Sequence, residues 1–424
     1  MAIIRVYTKQ IIKEEYDFGL AASVHFCMAW GDSPAVELNQ GCGILFPEGI
    51  IKEDNTIDAR GISDPIVSRD KESFYIAGKY VNDSIEETAP GKLYVWETKD
   101  FLRFQDQGLK ECSTLPLESA GSQVEIPDSM VKDILDQWTP VKAVSVEIPY
   151  NNADIADSSV CTDTVNIHYS DGSICTKPVI WTETEEPEHY AGKIQSPAYP
   201  YPLLKGFADP VFFKHEGKWY FLATNDLNGN IGLFLREADT IMGLFEEGHS
   251  CSVILDYSKE HQFIQTFWAP EWHMIGGVPY ILFAVGGEKW APQSHVMKYK
   301  GSGSIMDSGS WELPVRVRQK NGHFLTEDGI TLDMIYFKAG GTSYVVWSER
   351  YHIGSPLDSG SMLYIATIDE KDPTILTSEK VLLSRPLYGW ENVAGTINNE
   401  GPYALLRRGQ VYLSYSGGAA VGHT

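Results

Sequence analysis

Five times along this chain, a tyrosine stands ten residues after an anchor residue that closes a short turn. Pro65 in "GISDP" leads to Tyr75, Pro210 in "GFADP" to Tyr220, Pro270 in "FWAP" to Tyr280, Met334 in "TLDM" to Tyr344, and Pro402 in "NNEGP" to Tyr412. Polar or Gly-containing turns such as "HEGK", "IGGV", "AGGT" and "RRGQ" lie between anchor and tyrosine. Each unit therefore reads as strand, hairpin turn, strand. A fixed repeat constrains a fold more than any single element, because each unit must bury its apolar face against its neighbours. The last four anchors are 60, 64 and 68 residues apart, which leaves room for two further strands per unit. Four strands per repeat with aromatic-rich inner strands mark a β-propeller blade. The expectation is an all-β, five-bladed β-propeller.

The repeat also divides the chain. Residues 1–125 read as N-terminal strands plus the first blade, and residues 197–424 as the remaining blades. Only two strands of the fifth unit precede Thr424. "SVHFCMAWGDSPAVELNQG", from Ser23, is similar to "GKLYVWETKDFLRFQDQG", the outer half of the first unit. That similarity predicts that the N-terminal strands complete the blade begun by residues 397–424 and so close the ring without an unpaired edge. A chain cut from a longer protein is the alternative. Between the blades, residues 138–196 alternate apolar and polar positions around a "SDGS" turn, the pattern of a small β-sandwich. "VNIHYSDGSICTKPVIW" resembles the bacterial Ig-like modules appended to carbohydrate enzymes.

Charge excludes some partners. The 424 residues carry a net charge of −23, and no basic block is present to neutralise phosphates. Nucleic acid and anionic membrane surfaces are thereby disfavoured. No run of eighteen apolar residues exists, so no helical membrane span is expected. The opening "MAIIRVYTKQIIKEEYDFG" lacks the apolar core and cleavage site of a signal peptide. The expectation is a cytoplasmic chain, secreted if its true N-terminus is missing. Six scattered cysteines without a CxxC pattern fit a reducing compartment, with Cys161–Cys175 as an alternative pair. The oligomeric state is not legible.

The anchors place Asp64, Asp209, Glu271, Asp333 and Glu400 at or beside equivalent starts of inner strands, which converge at one mouth of a propeller. Carboxylates gathered in one funnel repel one another unless some are protonated. Glycoside hydrolysis uses that arrangement, with one carboxyl protonated as acid and another ionised as base.

"FADPVF", "FWAPEWH", "TLDMIYF" and "NNEGPYAL", in this order, resemble the motifs of glycoside hydrolase family 43. The resemblance covers roughly residues 200–424. It implies five-bladed propellers that act on arabinose- and xylose-containing polysaccharides with inversion. Carried over by motif, Asp209 is similar to the general base, Asp333 to the carboxylate that orients the acid, and Glu400 to the general acid. Asp64, in "SDP", is a second candidate base. Trp268, Glu271, Asp64 and Arg350 are the candidate substrate-binding residues. Inversion leaves room for a water, with acid and base roughly 6.5–9.5 Å apart. No cofactor is required by this chemistry. The resemblance allows a calcium ion at the propeller centre, yet no clear histidine motif stands for it; His423 in "AVGHT" lies near the chain end.

The implied activity is removal of α-L-arabinofuranosyl groups from plant hemicellulose or pectin side chains. A β-xylosidase of the same family is the nearest alternative, because pocket shape selects the sugar. A non-catalytic carbohydrate-binding propeller would have no need of the full Asp/Asp/Glu set. A protein-interaction propeller would have no need of converging acids. Other signals carry less. "HEGKW" lacks a second histidine, "GSGSIMDSGSW" lacks the lysine of a phosphate loop, and "GDSP" reads as a turn.

Overall fold

The computed structural model describes residues 1–12, 16–31, 33–148, 163–183, 190–194, 202–246 and 250–418. Each of the five repeat units is an antiparallel hairpin. The pairs are β1 (Gly61–Arg69) with β2 (Phe74–Val81), β3 (Phe207–His215) with β4 (Lys218–Asn225), and β5 (Gln265–Ile275) with β6 (Val278–Gly286). β7 (Gly329–Ala339) with β8 (Thr342–Tyr351) and β9 (Asn399–Arg407) with β10 (Gln410–Gly417) complete the set. The ten-residue offset has a simple meaning in register. The residue three after each anchor pairs with the tyrosine: Ser68 with Tyr75, Phe213 with Tyr220, His273 with Tyr280, Phe337 with Tyr344, Leu405 with Tyr412.

The first four hairpins are extended outward by further antiparallel strands into sheets of four or five, and the fifth remains two-stranded among the described residues. The architecture is thus all-β and built from five blade units. Apolar side chains between adjacent sheets form the cores. Leu222, Leu235, Phe267, Phe283 and Trp311 join the second unit to the third. Leu282, Met334, Val345, Trp347 and Ala366 join the third to the fourth. Fully burying one large apolar side chain of this kind contributes about 1.5–3 kcal/mol.

Among the described residues, the N-terminal strands do not pair with the fifth hairpin. Ala2–Tyr7 pairs on one side with His25–Trp30 and on the other with Gln123–Ile126, and Val36–Glu37 extends this separate four-stranded sheet. Its core, with Ile4, Phe26, Met28 and Ile126, packs against Ile62, Ile76, Trp96 and Phe101 of the first unit. Sequence similarity to an outer strand indicates a strand with one buried face. Backbone hydrogen bonds carry no identity, so it cannot say which edge that strand joins. The fifth hairpin consequently exposes Tyr403, Leu405, Leu406, Val411 and Tyr412.

Two domain expectations change as well. Helix Val131–Trp138 belongs with the N-terminal body: Ile134 is fully buried in that core, and Trp138 Nε1 donates to Phe101 O at 2.7 Å. In the segment read as an Ig-like sandwich, Ala143–Glu147, Thr164–Tyr169, Ile174–Glu183 and Tyr190–Ile194 form one antiparallel sheet in chain order. Ile174–Glu183 pairs with one neighbour through its first half and with the other through its second. No second, facing sheet is present in that segment among the described residues. Cys161 lies outside them, so its pairing with Cys175 does too.

Candidate active site

Each inner strand breaks register at its anchor. The irregularities fall between Ser63 and Ile66, Ala208 and Val211, Trp268 and Glu271, Leu332 and Ile335, and Glu400 and Tyr403. In all five, the residue before the anchor has a positive φ: Asp64 49°, Asp209 51°, Ala269 45°, Asp333 55°, Gly401 58°. Left-handed backbone disfavours most side chains, and Asp and Gly are among the residues that tolerate it. Four of the five anchors are proline, which lacks an N–H and is admitted to a sheet at bulges. The Asp-Pro pairs are therefore β-bulges, which turn a side chain out of the alternating pattern and aim it elsewhere.

The bulged aspartates find partners at one fixed distance along the chain. Fifteen residues after each, on the second strand of the hairpin, stand Lys79, Thr224 and Ser348. Thr224 Oγ1 donates to Asp209 Oδ2 at 2.6 Å, and Ser348 Oγ to Asp333 Oδ2 at 3.2 Å. Lys79 Nζ instead forms an ion pair with Asp64 at 2.8 Å, and both side chains are exposed. The first unit thus neutralises its aspartate where the second and fourth offer a hydroxyl.

Asp209, Glu271, Asp333 and Glu400 act on one another electrostatically. Burial is the main cause that pushes Glu271 up to about 7, with the charge of Asp209 adding to it. Burial likewise pushes Asp333 up to about 7, reinforced by Glu400 and by Asp209. The Gly401 N–H, which donates to Asp333 Oδ2 at 2.9 Å, and the Ser348 hydroxyl oppose that rise. Glu400 is raised by burial; the Ser361 hydroxyl and Arg350 pull against this, while Asp209 adds to it. Asp209 is the group that the other three share, and it is the exposed one of the four. Asp64 perturbs none of them.

Polar neighbours hold the set in place. Thr224 Oγ1 also accepts the Ala269 N–H at 2.9 Å, tying the bulge of β5 to the aspartate of β3. Ser361 Oγ donates to Glu400 Oε1. Arg350 grips Asp358 with two bonds of 2.8 and 2.7 Å and donates a third to Asn398 Oδ1 at 2.7 Å. It therefore reaches Glu400 through its field, as a fixed positive charge. Trp268 pairs with Ala284 at the edge of the β5 bulge and is half-buried. Of the residues singled out in the sequence, Asp209, Glu271, Asp333, Glu400 and Arg350 share one electrostatic cluster, Trp268 borders it, and Asp64 stands apart. Thr224, Ser348, Ser361 and Asn398 were not foreseen. The fifteen-residue offset marks the first two only once the hairpin register is known.

Among the described residues, no group of three or more His, Cys, Asp or Glu is arranged to hold a metal ion. His423 lies outside them.

The site is thus a group of three carboxyls raised mainly by burial, each also feeling the charge of one exposed aspartate, Asp209. Residues 199–424 match the family model for glycosyl hydrolases family 43, and the chain belongs to that family. It is 32% identical over 226 residues to an extracellular exo-α-(1→5)-L-arabinofuranosidase of Streptomyces chartreusis, covering 53% of this chain and 64% of that protein. It is 31% identical over 230 residues to α-L-arabinofuranosidase 43 of Humicola insolens, covering 53% and 44%. The matched region thus spans less than two thirds of these relatives. Among solved structures, an α-L-arabinofuranosidase from Lactobacillus brevis aligns at 28% identity with a TM-score of 0.43, over 52% of this chain and 66% of that one. The comparison corrects one expectation: relatives from Streptomyces chartreusis and Streptomyces avermitilis are named extracellular, against the cytoplasmic reading of the N-terminus.

Proposed function

We propose that this chain is an inverting glycoside hydrolase that releases α-L-arabinofuranosyl groups from oligo- or polysaccharides. The observation that carries this reading is the convergence of Asp209, Asp333 and Glu400 from three blade units onto one electrostatic cluster. The relatives named arabinofuranosidases support the choice of sugar.

In this reading Asp209, exposed and hydrogen-bonded to Thr224, takes a proton from the attacking water as that water adds to the anomeric carbon. Glu400, whose hold on a proton is strengthened by burial, gives its proton to the leaving oxygen. The fixed charge of Arg350 restrains that rise, so the acid can part with its proton in the transition state. Asp333 accepts the Gly401 N–H, which fixes the peptide next to Glu400 and so aims the acid. Glu271, raised to about 7, can exchange between its acid and carboxylate forms near neutral pH and so can donate to or accept from a sugar hydroxyl. The ion pair of Asp64 with Lys79, and its separation from the other acids, favour Asp209 over Asp64 as base.

The test is release of nitrophenol from the α-L-arabinofuranoside and the β-D-xylopyranoside, with wild type, Glu400→Gln and Asp209→Asn side by side. The expected result is activity on the arabinofuranoside, reduced at least about 100-fold in both variants. For Glu400→Gln the loss should be smaller on an aryl substrate than on an oligosaccharide, because a good leaving group needs less protonation. Full activity in Glu400→Gln on the oligosaccharide would sink the assignment of the acid.

A further inference from the structure

One cavity of this strongly acidic chain has a cationic lining. It measures about 530 Å³, and its lining includes Lys289, Arg316, Arg318, Trp290 and Phe324 together with one carboxylate, Glu327. The guanidinium of Arg316 stacks on Phe324 at 3.7 Å and reaches Trp290 at 5.6 Å, and that of Arg318 lies 4.7 Å from the same Phe324 ring. Among the described residues, none of the three cations makes an ion pair. Arg316 bonds only the Thr326 carbonyl, at 2.8 Å, and its Nε is buried without a partner. Arg318 bonds the Gly322 carbonyl at 3.0 Å. Arg60 and Arg350, by contrast, are paired with Asp58 and Asp358. Two arginines on one ring, with a lysine beside them, repel each other and add little to stability. Burial and the neighbouring Arg318 hold Arg316 down, to about 10, against the field of Glu327. An anionic ligand would relieve this.

The cavity is also placed at the right end of the blades. Its walls include residues 289–290 of the loop that follows β6, which is held to the start of β7: the Thr331 N–H donates to Pro292 O at 3.0 Å, and Gln293 Nε2 to Gly329 O at 2.7 Å. Gly329 is four residues before Asp333. The opposite wall, His261 and Phe263, lies just before β5, the strand that carries Glu271. The cavity thus sits between the lead-ins of two strands that bring carboxyls to the site.

We propose that this cavity is a binding subsite for a uronate unit of an acidic polysaccharide, with Arg316, Arg318 and Lys289 receiving the carboxylate and Trp290 offering a face to the ring. Guanidinium forks match carboxylates in geometry as well as charge. The apolar floor of Leu313, Pro314 and Val315 and the half-buried indole suit a sugar ring better than a bare ion. With a net charge of −23, the chain as a whole repels a polyuronate. A local cluster is what an acidic substrate would need in order to dock. The inference rests on the glycosidase reading, which makes the neighbouring carboxyls the place where a side chain of that polysaccharide is cut.

The test is calorimetric titration of the whole protein with trigalacturonate, with its methyl ester and with sulfate, for wild type and Arg318→Ala. Hydrolysis of the neutral aryl arabinofuranoside is measured in parallel. The expected result is that trigalacturonate binds, its ester binds at least about tenfold more weakly, and Arg318→Ala loses at least about tenfold in affinity. Aryl arabinofuranoside turnover should be unchanged in that variant. Lys289→Ala, at an exposed loop position, should weaken binding in the same direction and guards against a folding defect in the first variant. Equal binding of acid and ester, or sulfate competing as well as trigalacturonate, would overturn the proposal, the latter by showing an ion site only. Binding without aryl hydrolysis would leave the subsite standing and overturn the glycosidase reading instead.

Discussion

At the scale of the residue, the site depends on how one side chain sets the proton affinity of the next. Asp333 has a folded pKa of about 7, against an ordinary value of 3.8. Between about pH 4 and pH 7 the folded protein therefore holds a proton that the unfolded chain has released. The contribution to stability is complete below about pH 4 and is lost as pH rises through 7. Asp333→Asn cannot ionise and should escape this loss. The Tm of the variant minus that of wild type should therefore increase from pH 4 to pH 8, while activity falls at both. A gap in Tm that stays constant with pH would mean that Asp333 titrates normally. The sequence offered this acid as a candidate through its motif. It could not give its burial, which comes from β8 and β9 packing over it.

Strand geometry is what carries the chemistry at the next scale. A bulge with positive φ recurs at one register position in all five hairpins, whether the residue there is Asp, Ala or Gly. The backbone device is thus common to every unit, and the side chains on it are specialised. Thr224 links two of these devices, donating to Asp209 on β3 and accepting from Ala269 at the bulge of β5. It is a positioning residue. Thr224→Val keeps the shape and removes both bonds, so kcat should fall about 10–100-fold with KM little changed. Thr224→Ser should restore most of the rate. A Val variant as fast as wild type would show that the two hydroxyl bonds do not position Asp209. The hairpins themselves were legible in the sequence, since alternation and turn chemistry are local properties. The bulges were only half legible: Asp-Pro announced an irregularity, but the fifteen-residue partnership needs the register.

At the scale of the whole molecule, the N-terminal body meets residues 385–389 through both backbone and side-chain bonds. The Gly49 N–H donates to Leu387 O at 2.7 Å, and Arg385 donates to the side chain and carbonyl of Asn55 at 2.7 and 2.8 Å. Gly19 of the short helix Phe18–Ala21 lies against Gly389 so closely that a Cβ on Gly389 would meet the Gly19 oxygen at 2.3 Å. Gly389→Ala should therefore destabilise by roughly 1–3 kcal/mol, read as a lower Tm or as a separate early transition. An unchanged melting curve would mean that the N-terminal body does not depend on this contact. Nothing in the sequence singled out Gly19 or Gly389, because close approach between distant segments leaves no local pattern. Taken alone, the sequence determined the strands, their hairpins, the all-β class and which acids stand at strand starts. These follow from side-chain alternation and turn residues within a few positions of one another. Only the tertiary structure decided that Asp64 pairs with Lys79, that Asp209 is felt by three other acids, and that the N-terminal strands build their own sheet. Those outcomes depend on distance and burial between segments far apart in the chain, and on backbone pairing, which is blind to residue identity.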